Sequence, residues 1–310
     1  MVRRKLPKFQ LRSDDPVGGI LFENIVSILS ESLKTIDMYA DRILLYDDYC
    51  PLCSWYSNLF VKFGLLSAEN RIPFSKADIE ILTSIDIEKG RDEIPFFDGQ
   101  TRVTLYGIDT LLEILGQKAP FIKSIGNVAP VKWFLQRLYR LISYNRRVIV
   151  ARKCGTGRFD CSPAFNVFYR TLFMTICLLF NSTMLWPLHT CVFSHLAVYH
   201  LTFPQLEAAH LSFVSINCFM AAFLRRRQSI EYLGQVNMLA LIAILLLTPI
   251  IIAGSLMVMN QSIIFFFLLF LTAFIIKEYF RRMKYANIHL REIIAANFIC
   301  LAAFLVYVFY

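Results

Sequence analysis

Two hydrophobic patterns divide the chain. From residue 42 to about residue 160 the apolar positions form short runs and helical periodicities broken by charged turns; from residue 163 to 310 they merge into long uncharged stretches. In the first part, the run Ile43–Tyr46 predicts a strand over 42–46, and the apolar periodicity after Pro51 predicts a helix over 51–66. A second strand is expected at 71–76, edge-like because Pro73 cannot donate to a ladder. Ile79, Ile81, Leu82 and Ile85 mark a short helix over 77–89. Asp98-Gly99 separates the runs 94–97 and 101–106, which predicts a hairpin, and Gly107 precedes a helix at 108–115. In the second part, five stretches near 165–185, 206–224, 236–256, 261–277 and 293–310 approach the roughly twenty apolar residues that cross a bilayer. The second is the weakest, holding Glu207 and His210 near one end, and the third carries no charge and one helix-kinking residue, Pro249.

The order strand–helix–strand–helix–hairpin–helix is the layout of a thioredoxin-type α/β domain. The fold expected is therefore a thioredoxin-like α/β domain followed by an all-α transmembrane bundle of about five spans. Residues 1–41 form an N-terminal extension, 42–130 the α/β domain, 131–162 a basic amphipathic linker at the membrane and 163–310 the helical domain. Arg3, Arg4, Lys5, Lys8 and Arg12 are not followed by an uninterrupted apolar run, so this start does not read as a signal peptide.

Charge sharpens the division. The net charge is +9, and residues 131–170 alone hold nine Lys or Arg against one acid, Asp160. A nucleic-acid face would also be basic, but this block leads directly into a span, so anionic lipid is the better partner and nucleic acid is not expected. Within it, residues 131–144 place arginines on one side and aromatics on the other, which suits a helix on the bilayer surface or one that covers the sheet. The loops also alternate: 186–205 and 257–261 have no Lys or Arg, whereas 225–235 begins with Arg225-Arg226-Arg227 and 277–292 holds Lys277, Arg281, Arg282, Lys284 and Arg291. The positive-inside rule then places the α/β domain and both basic loops in the cytoplasm, as for a multi-pass protein of a bacterial inner membrane.

The candidate chemistry sits at the end of the first strand, in Tyr46-Asp47-Asp48-Tyr49-Cys50-Pro51-Leu52-Cys53. Pro51 suits the first helical position, so Cys50 lies at a helix N-terminus and Cys53 one turn in, on the same face. That spacing lets the two sulfurs bridge, and the helix terminus favours a thiolate at Cys50. Half a zinc site is the alternative, but there is no second CxxC and no histidine before residue 154, so neither a metal nor another cofactor is expected. Asp47 suits a buried proton acceptor for Cys53, or a turn residue that bonds its own backbone. Cys154 and Cys161, in a Gly-rich turn, form either a second dithiol in relay with the first or two unrelated thiols. Cys177, Cys218 and Cys300 read as buried apolar residues, and His189, His195, His200 and His210 match no metal or haem motif.

Tyr46-Asp47-x-x-Cys50-Pro51-x-Cys53 resembles the signature of the DCC family of thiol-disulfide oxidoreductases (domain of unknown function 393), with Asp48 where that family usually has glycine. Tyr106-Gly107-Ile108-Asp109 is similar to the family's hairpin-to-helix element, and Tyr139-Arg140 through Asn145-Arg146 to its Tyr-Arg-x-x-x-x-Asn-Arg element. The resemblance covers about residues 42–152. It implies disulfide exchange with a protein or small-molecule disulfide or dithiol, Cys50 attacking and Cys53 resolving, with an external thiol reductant. Pro95, in Ile94-Pro95-Phe96, resembles the cis-proline that packs opposite the CxxC in thioredoxin and glutaredoxin folds. The alternatives are a non-enzymatic membrane scaffold or redox sensor, and a transmembrane electron-transfer component.

Overall fold

The computed structural model describes residues 42–152, 163–288 and 291–309. The extension 1–41 and the pair Cys154 and Cys161 lie outside the described residues.

A four-stranded mixed sheet opens the fold. Strand β1 (Arg42–Tyr46) pairs in parallel with β2 (Arg71–Pro73) and antiparallel with β3 (Pro95–Asp98), and β3 pairs antiparallel with β4 (Val103–Tyr106), giving the order β2-β1-β3-β4. Helix α1 (Pro51–Lys62) connects the parallel pair. Because successive strand side chains face opposite ways, β1 serves two cores. Leu44 and Tyr46 join Phe60, Ile94, Phe96 and Ile114 on one face, and Leu45 joins Phe74, Leu82, Ile85 and Phe97 on the other. Leu44 and Leu45 are both fully buried, each contributing about 2–3 kcal/mol by transfer from water.

Several local expectations are revised. The second strand stops at Pro73 and becomes a single 3-10 turn, Phe74–Lys76. The helix expected over 77–89 is two short ones, α2 (Ile79–Thr83) and α3 (Ile87–Asp92), because the Asp86 carboxylate accepts from the Lys89 N–H and starts a new helix. The hairpin does not turn on Asp98-Gly99 alone. Asp98 ends β3, its Oδ1 accepts from the N–H groups of Gln100 and Thr101, and its Oδ2 pairs with Arg42 at 2.9 Å, so the loop extends to Arg102. Helices α4 (Ile108–Gly116) and α5 (Pro120–Gly126) follow.

The first part of the basic segment belongs to one continuous 22-residue helix, α6 (Ala129–Val150). Its inner face docks on the α/β domain. The Tyr139 hydroxyl accepts from the Ile94 N–H at 2.9 Å, Arg140 pairs with Glu93 at 3.1 Å, and Ser143 donates to the Asp92 carbonyl. Its opposite face leaves Phe134, Leu138 and Ile142 exposed at helical spacing.

Five helices complete the chain: α7 (Val167–Cys191), α8 (Phe203–Ala222), α9 (Arg226–Leu256), α10 (Gln261–Tyr285) and α11 (Arg291–Phe309). Three segments among the described residues, Val167–His195, Arg226–Leu256 and Gln261–Tyr285, are long and apolar enough to cross a membrane. Helix α9 continues through Pro249. Gly254 lets α9 touch α7 backbone to backbone, since a Cβ there would stand 1.8 Å from the Cys191 carbonyl oxygen. At the other end of α9, Tyr232 donates to Asn217 of α8 at 2.6 Å and accepts from Asn297 of α11 at 2.7 Å.

The two parts of the chain meet at the end of α6. Arg282 of α10, 1% exposed, donates to the carbonyls of Val148 and Ile149, and Arg281 donates to those of Val150 and Ala151. The last carbonyls of a helix have no partner within it; here two arginines from another helix supply them.

Candidate active site

The turn after β1 is built by Asp47. Its Oδ1 accepts from the N–H groups of Tyr49 at 3.0 Å and Cys50 at 3.2 Å, fixing the chain as it enters α1. Cys50 then occupies the N-cap with extended backbone, and Pro51 sits at the first helical position, as its missing N–H allows. Asp48 turns outward to accept from the Ser75 hydroxyl at 2.8 Å. Asp47 is thus a turn residue and also a buried carboxylate, 4% exposed. Burial raises its pKa, while Arg146 and the two backbone donors pull it down in part. Its second oxygen, Oδ2, makes no hydrogen bond.

Cys50 and Cys53 are unbridged, and both are buried, 7% and 3% exposed. Their difference lies in hydrogen bonding. The Cys53 thiol donates to the Cys50 sulfur and pushes the Cys50 pKa down to about 6; burial opposes this, and the Cys53 backbone N–H and the Arg146 charge assist it. Cys53 moves the other way, well above the ordinary thiol value, because it is the donor to Cys50 and because it is buried. One thiol is poised as thiolate and its partner holds the proton.

Arg146 is the residue the sequence reading left off the site. It comes from α6, is 7% exposed, and its Nη1 donates to the Cys53 sulfur at 3.7 Å. Its Nη2 donates to the Arg91 carbonyl at 2.7 Å and lies 3.7 Å from Asp47 Oδ2. Burial works against the guanidinium charge, but Cys53, Asp47 and Cys50 outweigh it, so its pKa rises and the cation persists. The sequence held a signal: Tyr139 and Arg146 are seven apart, on one helical face, and that face also carries Ser143, which docks.

Two half-buried tyrosines complete the wall. Tyr56 lies against Cys53, and Tyr139 holds the Ile94 N–H; burial raises both hydroxyl pKa values, so both stay neutral. Gly107 backs this wall with φ +59°, and a Cβ there would stand 3.0 Å from Glu93 Oε2 and 3.2 Å from the Tyr139 ring. Arg71 clamps α1 from beneath, donating to the Ser54 carbonyl and the Ser57 hydroxyl while its guanidinium stacks 3.8 Å from the Tyr46 ring centroid.

Pro95 begins β3. Since Leu44 pairs with Phe96 in an antiparallel ladder, Pro95 falls at the C-terminal end of β1, the end that carries the cysteines. All described peptide bonds are trans, so the likeness to a cis-proline stops at position and does not reach the peptide bond itself.

Asp47, Cys50 and Cys53 offer ligand atoms within 4.8 Å of one another. A closed zinc site needs four ligands. Here the Arg146 cation already lies against two of the three, which suits a thiolate better than a dication. The histidines do not converge: His189 Nδ1 bonds the Tyr199 hydroxyl at 2.8 Å, and His195 Nδ1 the Cys191 carbonyl at 3.0 Å. No family model, curated protein or solved structure matches the chain.

Proposed function

We propose that the chain is a membrane-anchored thiol-disulfide oxidoreductase of the DCC type, with a thioredoxin-like domain and five membrane crossings. The observation that carries the reading is the asymmetric dithiol: Cys50 is lowered to about 6 by a hydrogen bond from Cys53, beside a buried arginine. The strand order, with the dithiol at the C-terminal end of a central strand and before a helix, supports the fold.

Catalysis follows from this asymmetry. The Cys50 thiolate attacks one sulfur of a substrate disulfide; a Cys50–substrate bond forms, the substrate S–S bond breaks, and the first substrate sulfur leaves as thiolate. Cys53 then gives its proton to Asp47, whose pKa burial raises, and attacks Cys50. The second substrate sulfur leaves, so the substrate gains two electrons and, with solvent, two protons. The Cys50–Cys53 disulfide is returned to the dithiol by an external thiol. Arg146 stabilises the thiolate forms in both steps. Pro95 lies at the same end of the sheet as Cys50.

The span count extends the three clear membrane-length segments to α8 and α11, of 20 and 19 residues. The basic loops support a dithiol on the cytoplasmic side, where a reducing pool favours electron donation. The joint between α6 and α10 favours one second reading, a redox sensor that reports the state of the dithiol to the bundle.

The test is trapping. Cys53→Ser in the full chain, in membranes, should accumulate a Cys50 mixed disulfide with substrate, and Cys50→Ser should not. Turnover of model disulfides by the wild type supports the enzyme; a reversible Cys50–Cys53 bond with no turnover supports the sensor; unreactive thiols sink both.

A further inference from the structure

A second site lies where the two parts of the chain meet. A cleft of about 630 Å³ is bounded by α6, the N-terminal ends of α7 and α9, and the C-terminal end of α10. Among the described residues its walls carry Arg147, Arg170, Arg225 and Arg227 and one acid, Glu231. Arg170 is 4% exposed; its Nη1 makes no hydrogen bond and stands 3.4 Å from Glu231 Oε2. Glu231 is itself partly engaged, accepting from the Gln235 amide at 2.9 Å. Arg170 and Arg227 both stack on the Phe165 ring, at 5.7 and 5.3 Å, so Phe165 holds two cations in place together.

A buried arginine without full compensation is costly, and three further guanidinium groups converge with it on one cleft. The N-terminal ends of α7 and α9 border the same space with their positive dipole ends, against the one negative end of α10. Arg170, Arg225 and Arg227 against the one acid among the described lining residues leave a charge of +2 facing a volume in the range that holds a small ligand or a headgroup. Guanidinium forks match phosphate oxygens in geometry as well as charge.

We propose that this cleft binds a phosphate-bearing anion, with Arg170 as the buried anchor and Arg225 and Arg227 as the exposed rim. The site is independent of the thiol chemistry and does not rest on it. Two sources share the chemistry: the headgroup of an anionic phospholipid, and a soluble phosphate monoester.

The experiment uses the full chain in an uncharged, phosphate-free detergent at constant ionic strength. Thermal shift and native mass spectrometry are read with short-chain phosphatidic acid, short-chain phosphatidylcholine and glycerol 3-phosphate. Binding of phosphatidic acid with little binding of glycerol 3-phosphate assigns the site to lipid; comparable binding of both assigns it to a soluble monoester. In either case the double variant Arg225→Gln/Arg227→Gln, both at exposed positions, should bind at least about tenfold more weakly, the loss of about 1.4 kcal/mol. Arg170→Gln should abolish binding where it folds. No binding of either anion, equal binding of phosphatidylcholine, or unchanged binding in the double variant overturns the proposal.

Discussion

The Arg146 guanidinium stands 3.7 Å from the Cys53 sulfur, across 93 positions of sequence. A side chain from the basic helix thereby becomes part of a site that otherwise belongs to one strand–turn–helix unit. Its charge stabilises both thiolates, and its second nitrogen ties the site to the Arg91 carbonyl. Arg146→Gln should therefore raise the Cys50 pKa by about one unit, since a charge-assisted hydrogen bond contributes about 1.5–3 kcal/mol and only part is felt at Cys50. Less stabilisation of the dithiol should also lower the reduction potential by about 30 mV. Alkylation rate against pH checks the first effect, and a glutathione series the second.

The dithiol makes stability depend on pH. The folded pKa of Cys50, about 6, lies below its ordinary 9.0, so its contribution is complete above pH 9.0 and is lost as pH falls through 6. Cys53 is raised, so its contribution is present below 9.0 and is lost only as pH rises through its higher folded value. Between pH 6 and 9, of the two cysteines, it is Cys50 whose protonation differs between folded and unfolded chains. The reduced protein should become more stable with rising pH across that window, by at most about 4 kcal/mol at 1.36 kcal/mol per unit. The oxidised protein should lack this slope, and Tm measured on both forms at each pH tests it.

Asp47→Asn separates two roles. The amide keeps an oxygen for the Tyr49 and Cys50 N–H groups, so the turn should survive. It removes a negative charge that raises the Cys50 pKa, so the Cys50 thiolate should form at slightly lower pH. It also removes the proton acceptor for Cys53, so resolution should slow by about 100-fold, the low end for a general base. Stopped-flow alkylation follows the first effect, and the lifetime of the mixed disulfide the second.

Gly107→Ala should destabilise the α/β domain by about 1–2 kcal/mol. The residue has φ +59°, which disfavours a Cβ, and that Cβ would press on Glu93 and Tyr139. Because Tyr139 shares its helical face with Arg146, the variant should also shift the Cys50 alkylation profile. Denaturant unfolding measures the first effect.

Local chemistry was legible in the sequence where one short segment carries it. Strand, turn, Pro51 and the two cysteines stand within a dozen residues, and the apolar run Ile43–Tyr46 was enough to define β1. Arg146 was legible only as one position in a family-like element, because its partners lie on α1 and before β3 and only folding brings them together. The broken helix at Asp86 and the longer hairpin loop were hidden for a similar reason: one capping carboxylate and one ion pair to Arg42 decided them. The α6 pattern suited a bilayer surface and a domain cover equally; hydrogen bonds to residues 91–94 show that its inner face covers the domain.

The capping of α6 by Arg281 and Arg282 is also a matter of reach. A domain on a loose tether sweeps a wide volume and can meet partners at many heights and angles. A domain whose supporting helix is pinned at its root to a membrane-length helix presents its dithiol at one height and one tilt. If the chain exchanges disulfides as proposed, selection of a substrate then begins with geometry: a disulfide reaches Cys50 where it is held at that height, facing the mount.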